Sequence, residues 1–322
     1  MKISIIGGSG FVGNCLIARL MRLPDIEILN VDKNESRQYP EITTISNVLD
    51  LDTLTDLLQG TDLVVLLAAE HKDDVTPISL YYDVNVKGAE NTCIAMERNG
   101  IRKLIFTSSV AVYGLNKINP YEETPVDPFN HYGKSKWQAE CVLQSFSAAH
   151  QDWSIQIIRP TVLFGEGNRG NVYNLLRQIA SGRFLMIGSG ENKKSMSYVG
   201  NVVDFILFLT EKQRDVKGCS LFNYVDKPDL TTRELITIVG KVLNKRIPAI
   251  RIPYWIGMIG GYCFDILSNI IGRKLVISSV RVKKFCAVTQ FDSSKVETLG
   301  FKPVFTLEEG LERMLRNEFG NS

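Results

Sequence analysis

The strongest constraint on this chain sits at its start. An apolar run over Lys2–Ile6 leads into Gly7-Gly8-Ser9-Gly10-Phe11-Val12-Gly13, after which Cys15, Leu16, Ile17, Leu20 and Met21 recur at helical spacing. Strand, glycine loop and helix in that order make a site for a pyrophosphate. Gly7 permits the tight turn, Gly10 lets the phosphates approach the backbone, and Gly13 lets helix and strand pack closely. The opening turn of the helix, with Phe11 and Val12, offers unpaired N–H groups and the positive end of the helix dipole. Glycines are common in turns, so the triplet alone says little. Here the next apolar run, 26–31, ends on Asp32, where a carboxylate accepts hydrogen bonds from ribose hydroxyls. Dinucleotide binding is the reading. The same carboxylate repels a 2′-phosphate and favours NAD over NADP, with Lys33 and Arg37 as the cations that would offset it. For Asp50 and Leu51, an adenine contact and a plain helix cap are equally good readings.

The sheet that such a loop belongs to is legible further along. Strands at 63–69, 104–107 and 154–158 alternate with helices at 54–58, 80–97 and 132–148. The strands are continuous apolar runs, the pattern of a parallel sheet covered on both faces. Residues 1–160 therefore read as a Rossmann-type, doubly wound α/β domain that binds NAD. After Pro160 the rhythm changes. A loop at 165–170 precedes helices at 173–180, 198–209 and 231–243, the last opening on a capping sequence, Thr231-Thr232-Arg233-Glu234. Segments near 198–226, with a strand at 221–225, are expected to return to the sheet. The rest of 161–322 is expected to form a smaller C-terminal substrate lobe.

Composition narrows the partners. With 44% hydrophobic and 22% charged residues the chain is of ordinary globular type. A net charge of +2 gives no reason to expect nucleic acid. Six scattered cysteines, without a CxxC pair and beside three histidines, point to neither a zinc site nor a disulfide framework, and favour a reducing, cytoplasmic setting. The stretch 252–272 is apolar but carries Asp265, Ser268 and Asn269. A membrane-spanning helix needs about 20 mostly apolar residues. A buried or partner-facing helix is expected there, with a peripheral membrane contact as the intermediate reading.

Chemistry enters with a second constellation. The strand at 104–107 delivers Ser108 and Ser109 to its carboxyl end, where ligands of open α/β sheets bind. Tyr132 and Lys136, four apart in Tyr132-Gly133-Lys134-Ser135-Lys136, share one helix face. An ammonium beside a phenol lowers its pKa. Tyr132 would then serve as a general base toward a sugar hydroxyl, with Ser109 sharing the proton.

Taken together, these residues resemble the extended short-chain dehydrogenase/reductases of the NAD-dependent epimerase/dehydratase group. The resemblance runs through Gly7, Gly10, Gly13, Asp32, Leu67-Ala68-Ala69, Tyr82-Asp83-Val84-Asn85-Val86, Ser108-Ser109 to Tyr113-Gly114, Tyr132 to Lys136, Arg159-Pro160 and Tyr198-Val199-Gly200-Asn201-Val202. It implies Ser109, Tyr132 and Lys136 as catalytic residues. It adds Ala68, Ala69, Asn85 and Pro160 to the cofactor residues, Asn85 also ordering the active-site strand and helix. It implies substrate contacts at Ser108, Ser109, Asn171, Lys194 and Arg281. The family's dehydratases carry Thr-Asp-Glu before Val-Tyr-Gly; Ser109-Val110-Ala111 has no carboxylate, which disfavours water loss. Lys194 supplies charge but not the bidentate fork of an arginine. The function so implied is NAD-dependent oxidoreduction at C4 of a nucleotide-linked hexose, as in a UDP-sugar 4-epimerase. A 4-keto-sugar reductase, a steroid or lipid dehydrogenase, and a non-turnover NAD-binding sensor are the rivals. The resemblance also implies a homodimer through helices 80–97 and 132–148.

Overall fold

Seven short, mostly apolar runs pair side by side into one all-parallel sheet. The structure, a computed structural model, describes residues 1–72, 75–115, 117–182, 184–212, 216–248, 250–271 and 278–320, without the side chains of 269, 281 and 284. The chain opens with β1 (Lys2–Ile6), α1 (Phe11–Leu20), β2 (Glu27–Asp32), β3 (Thr43–Ile45), α2 (Leu51–Leu57) and β4 (Leu63–Leu66). It continues through α3 (Ser79–Tyr82), a π-helical turn (Asp83–Lys87), α4 (Gly88–Arg98), β5 (Lys103–Thr107), a 3₁₀ turn (Val110–Tyr113), α5 (His131–Ala149) and β6 (Ser154–Pro160). Then come β7 (Val162–Phe164), α6 (Asn171–Ala180), β8 (Met186–Ile187), β9 (Lys193–Tyr198), α7 (Val199–Lys212) and β10 (Gly218–Tyr224). Last are β11 (Asp226–Thr231), α8 (Thr232–Val242), β12 (Arg251–Ile252), α9 (Tyr254–Ile271), α10 (Ser279–Cys286), α11 (Ser294–Thr298) and α12 (Leu307–Phe319).

Two compact units result. The first comprises Met1–Thr161, Val199–Val225 and Phe291–Val304. Its sheet runs β10-β6-β5-β4-β1-β2-β3, the reversal of order at β1 being the doubly wound, Rossmann-like topology expected from the sequence. Successive residues of the central strands are buried, Ile3, Ile5 and Ile6 in β1 and Leu63 to Leu66 in β4, because helices cover both faces. Cys93 and Met96 of α4 with Ala139 and Leu143 of α5 pack in one cluster with Leu104, Ile155 and Ile157. The helix expected at 80–97 is broken by the π turn, a device found often at functional sites.

The second unit comprises Val162–Tyr198, Asp226–Gln290 and Phe305–Ser322. Its three-stranded sheet runs β11-β9-β7, with β7 parallel and β11 antiparallel to β9. The capping box at Thr231 and Glu234 opens α8, and a second one, Thr306 with Glu309, opens α12. The Tyr198 hydroxyl bonds to Glu166 and receives the Arg313 Nε–H at 2.9 Å.

One polar feature of the first unit runs against its apolar interior. Arg159 of β6 forms a two-pronged ion pair with Glu140 of α5, Nε–Oε1 2.9 Å and Nη2–Oε2 2.5 Å. Both side chains are almost wholly buried, at 2% and 0% exposure. Ser108 Oγ also donates to Glu140, Arg159 Nη1 donates to the Tyr113 hydroxyl at 2.8 Å, and that hydroxyl donates to Asn223. A buried charge left without its partner is far costlier than the intact pair. Glu140→Ala should therefore lower unfolding free energy by about 3–5 kcal/mol, whereas Glu140→Leu with Arg159→Met should recover part of the loss. Urea unfolding of the two variants checks this. Equal losses would contradict it.

Candidate active site

The glycine loop is shaped by close approaches that no side chain would survive. A Cβ on Gly7 (φ +88°) would lie 2.4 Å from the Ala68 nitrogen, and one on Gly13 would lie 2.3 Å from the Gly8 oxygen. These glycines serve the packing of β1, β4 and α1. Gly10 differs. It caps α1 with φ −79°, ψ −179°, a conformation any residue adopts, and a Cβ there would meet only the Gly7 oxygen at 3.6 Å. Nothing within the protein demands glycine at this position. No side chain caps α1, so the N–H groups of its first turn, at Phe11 and Val12, keep their donors for a ligand. Asp32 ends β2 beside the loop. Its carboxylate accepts the Ser9 N–H at 3.0 Å and the Asn34 N–H at 2.9 Å. Lys33 pairs with Glu70 at 3.8 Å, which engages one of the two cations that would otherwise favour a 2′-phosphate. An open backbone cradle at a helix N-terminus with a carboxylate at the next strand end fits an NAD-type dinucleotide.

The remaining cofactor positions divide. Ala68 and Ala69 follow β4, and the Ala68 N–H donates to Ile6 O at 2.8 Å beside Gly7. Pro160 is the last residue of β6. Asp50 is the N-cap of α2; its carboxylate accepts the Thr53 N–H and hydroxyl, and these bonds hold its pKa below the usual value. Leu51 is the first residue of that helix. Asn85, buried in the π turn, takes the Glu70 N–H on its oxygen and spends its amide hydrogens on Glu70 O and Ser135 Oγ. Ser135 in turn donates to Tyr132 O. Asn85 thus positions the first turn of α5.

That turn carries Tyr132, with Lys136 one turn further along the same helix. The Asn130 side chain caps α5 by accepting the Gly133 N–H at 2.8 Å. A Cβ on Gly133 would lie 2.6 Å from Ala111 O, so glycine here lets α5 close on the 3₁₀ turn after Ser109. The Ser109 hydroxyl accepts the Ala111 N–H and is hydrogen-bonded to the Tyr132 hydroxyl. Burial raises the Tyr132 pKa, and the Ser109 bond opposes that rise. Lys136, one turn on, donates from Nζ to Thr107 O at 2.8 Å and lies 4.6 Å from the centre of the Phe106 ring. Burial lowers its pKa to about 7, against the pull of Glu140. The sequence led us to expect Lys136 to lower the tyrosine pKa. Without ligand the net shift of Tyr132 is upward, because desolvation dominates.

Among the expected substrate residues, Ser108 turns its hydroxyl inward to Glu140 instead. In the second unit, Asn171 opens α6 and is exposed. Lys194 in β9 donates to Ala287 O at 2.6 Å, and burial lowers its pKa to about 8. Arg281 lies in α10, its side chain outside the described residues. Sequence reasoning missed Glu140 and the Tyr113–Asn223 bond. Glu140 stands eight residues after Tyr132 and four after Lys136, on the same helix face, and that spacing was the available signal.

A strand–glycine-loop–helix cradle joined to a Ser–Tyr–Lys arrangement on one parallel sheet defines a dinucleotide-dependent oxidoreductase fold. The model of the NAD dependent epimerase/dehydratase family matches residues 3–223, and the chain belongs to that family. It is 58% identical over 99% of its length, and 95% of the relative's, to the N-acetyl-alpha-D-glucosaminyl-diphospho-ditrans,octacis-undecaprenol 4-epimerase of Escherichia coli O157:H7. It is 28% identical over 97% of its length, and 94% of the relative's, to the UDP-glucose 4-epimerase of Vibrio cholerae. Among solved structures, MoeE5 in complex with UDP-glucose and NAD superposes with a TM-score of 0.78 at 21% identity, covering 100% of this chain and 99% of that one. The cofactor expected from the glycine loop and Asp32 is the cofactor of the family.

Two outcomes follow from the geometry. Gly10→Ala should leave the melting temperature within a few degrees of wild type but weaken NAD binding about tenfold or more, since only the ligand needs that space. A large loss of stability with intact NAD affinity would refute the cradle. The Tyr132 phenol should titrate above its ordinary value in the ligand-free protein. It should move downward when NAD saturates the site, because a nearby positive charge favours the phenolate. Ultraviolet difference titration of wild type against Tyr132→Phe reads this, and an unmoved transition would remove Tyr132 from the cofactor's surroundings.

Proposed function

We propose that this protein is a 4-epimerase acting on an N-acetylhexosamine held through a diphosphate on a polyprenol carrier. The observation that carries the reading is the 58% identity over nearly the whole chain to an enzyme named for that reaction. The retained Ser109, Tyr132 and Lys136 are consistent with turnover rather than a sensor role. Bound NAD supplies a reversible acceptor for the hydrogen at C4 of the sugar. Tyr132, as phenolate, takes the proton of the C4 hydroxyl, and returns it once the 4-keto sugar presents its other face. The Ser109 hydroxyl, already bonded to Tyr132, steadies the same oxygen. The Lys136 ammonium offers a positive charge within the site and a donor for the cofactor ribose. Burial disfavours that charge and Glu140 supports it. Ser109-Val110-Ala111 lacks the carboxylates that the family's dehydratases carry there, which disfavours dehydration. In the second unit, Lys194 is the candidate contact for the diphosphate, as a point charge.

A UDP-linked hexose is the second reading, supported by the resemblance to the Vibrio cholerae enzyme. The purified protein with NAD should be offered both carriers, and the C4 configuration of the recovered sugar determined. Inversion on the polyprenol diphosphate is the expected result. Inversion on the UDP-sugar alone would replace the first reading by the second. Tyr132→Phe should fold, bind NAD and lose turnover by about 10²–10⁴, the range for loss of a general base. Near-normal turnover in that variant would refute the assignment of the base.

A further inference from the structure

Helix α9 is built inside out. Over its 18 residues the less exposed positions are, apart from Met258, small or polar, and most of the exposed ones are large and apolar. Gly257 and Gly261 make the close contacts: a Cβ would lie 2.5 Å from Ile187 Cγ2 at the first and 2.7 Å from Ser279 Cα at the second. One turn on, the Asp265 carboxylate accepts the Ser279 N–H and hydroxyl. On the opposite face Trp255, Ile259, Tyr262, Ile266 and Ile270 follow at steps of four, three, four and four, a single stripe along the helix. Their exposures run from 56% at Ile259 to 77% at Ile270. An exposed apolar patch of this extent marks an interaction surface.

Charge selects its partner. Residues 245–290 hold eight basic side chains against one acid, Asp265, a net +7 in a chain whose total is +2. The remaining 29 basic and 34 acidic residues amount to −5. Of the basic residues in that segment, Lys245, Arg246, Arg251 and Lys283 are described as exposed. An apolar stripe within a strongly basic segment of the chain complements an anionic lipid surface, into which Trp and Tyr settle at headgroup depth. A second copy of this chain is disfavoured, since a symmetric contact would bring +7 against +7. Among the described residues no helix is long and apolar enough to cross a membrane. At about 1.5 Å per residue α9 would extend roughly 27 Å along the surface.

We propose that α9 docks this protein, lying flat, on the surface of a bilayer containing anionic phospholipid. The proposal rests on the helix and its charges and not on the substrate assignment, so it is tested without substrate. The full chain with NAD is floated with vesicles of phosphatidylcholine and phosphatidylglycerol. It should rise with them at low salt, and binding should fall about tenfold in pure phosphatidylcholine or at high salt. Trp255 fluorescence should shift to the blue on binding, and Trp255→Phe should abolish that shift. Ile259→Glu with Ile266→Glu should cut vesicle binding about tenfold or more, with melting temperature and NAD affinity unchanged because both sites are already in water. Absence of flotation, or flotation unaffected by the two glutamates, would overturn the proposal. So would a wild-type dimer that the glutamates dissolve and that ignores vesicles, for the face would then belong to a second copy.

Discussion

The chemistry of the first unit hangs on a buried ion pair. Arg159 and Glu140 face each other inside the protein, where desolvating two charges costs several kcal/mol per ion unless every donor and acceptor is engaged. The guanidinium meets both carboxylate oxygens and the Tyr113 hydroxyl, and Ser108 supplies a further donor to Glu140. The pair fixes how α5 is rotated against β5 and β6. Tyr132, Lys136 and Glu140 are spaced by four on that helix, so whatever orients Glu140 orients the other two. With Glu140 drawn to Arg159, Lys136 reaches Thr107 at the end of β5 and Tyr132 meets Ser109. Asn85 secures the N-terminal part of the same helix through Ser135. The triad is therefore set by two anchors that do no chemistry themselves.

Those anchors leave the reactive groups in an environment that favours neutrality. Burial pushes the tyrosine up and the lysine down to about 7, so the ligand-free site resists both charges that the chemistry needs. Glu140 partly counters this by favouring the ammonium. The Ser109 bond does the same for the phenolate. A positive ring brought in with the cofactor acts in the same direction on Tyr132. Desolvation disfavours the phenolate while the site is empty, and a cationic cofactor would relieve that penalty, which couples the base to the cofactor.

The parallel sheet was legible because each βα step carries its own local signal. The glycines after β1, the acid after β2 and the apolar runs of β4 to β6 each restrict the backbone or its burial in ways that need no distant partner. The triad was legible for the same reason, since i and i+4 on a helix are neighbours whatever the fold. What escaped depended on long-range pairing. Glu140 reads as an ordinary surface acid until Arg159, nineteen residues later, is brought against it. Ser108 looks as available as Ser109 in sequence, and only the position of Glu140 turns it inward. The π turn inside 80–97 was hidden because its residues fit a continuous helix. Phe291–Val304 joins the first unit from far along the chain, and no periodicity announces that. In the second unit, strands as short as β7 and β8 are too brief for any period to register.

Helix α9 shows where apolar patterning misleads. Hydrophobic residues at helical spacing ordinarily mean a face turned inward, but the sequence of 252–272 by itself leaves a buried helix, a partner-facing helix and a peripheral membrane contact all open. The glycines reverse the inference. A helix that packs closely needs small residues at the contact, and Gly257, Gly261 and Asp265 provide one such line, four apart. Once that line faces the protein, the geometry of 3.6 residues per turn leaves Trp255, Ile259, Tyr262, Ile266 and Ile270 on the other side. More than half of each bulky side chain stays uncovered, and in water it carries a cost for every square ångström of exposed apolar surface. Apolar surface maintained at such a cost, in a segment that carries a net charge of +7, has its physical rationale in a partner that is itself apolar beneath and anionic above.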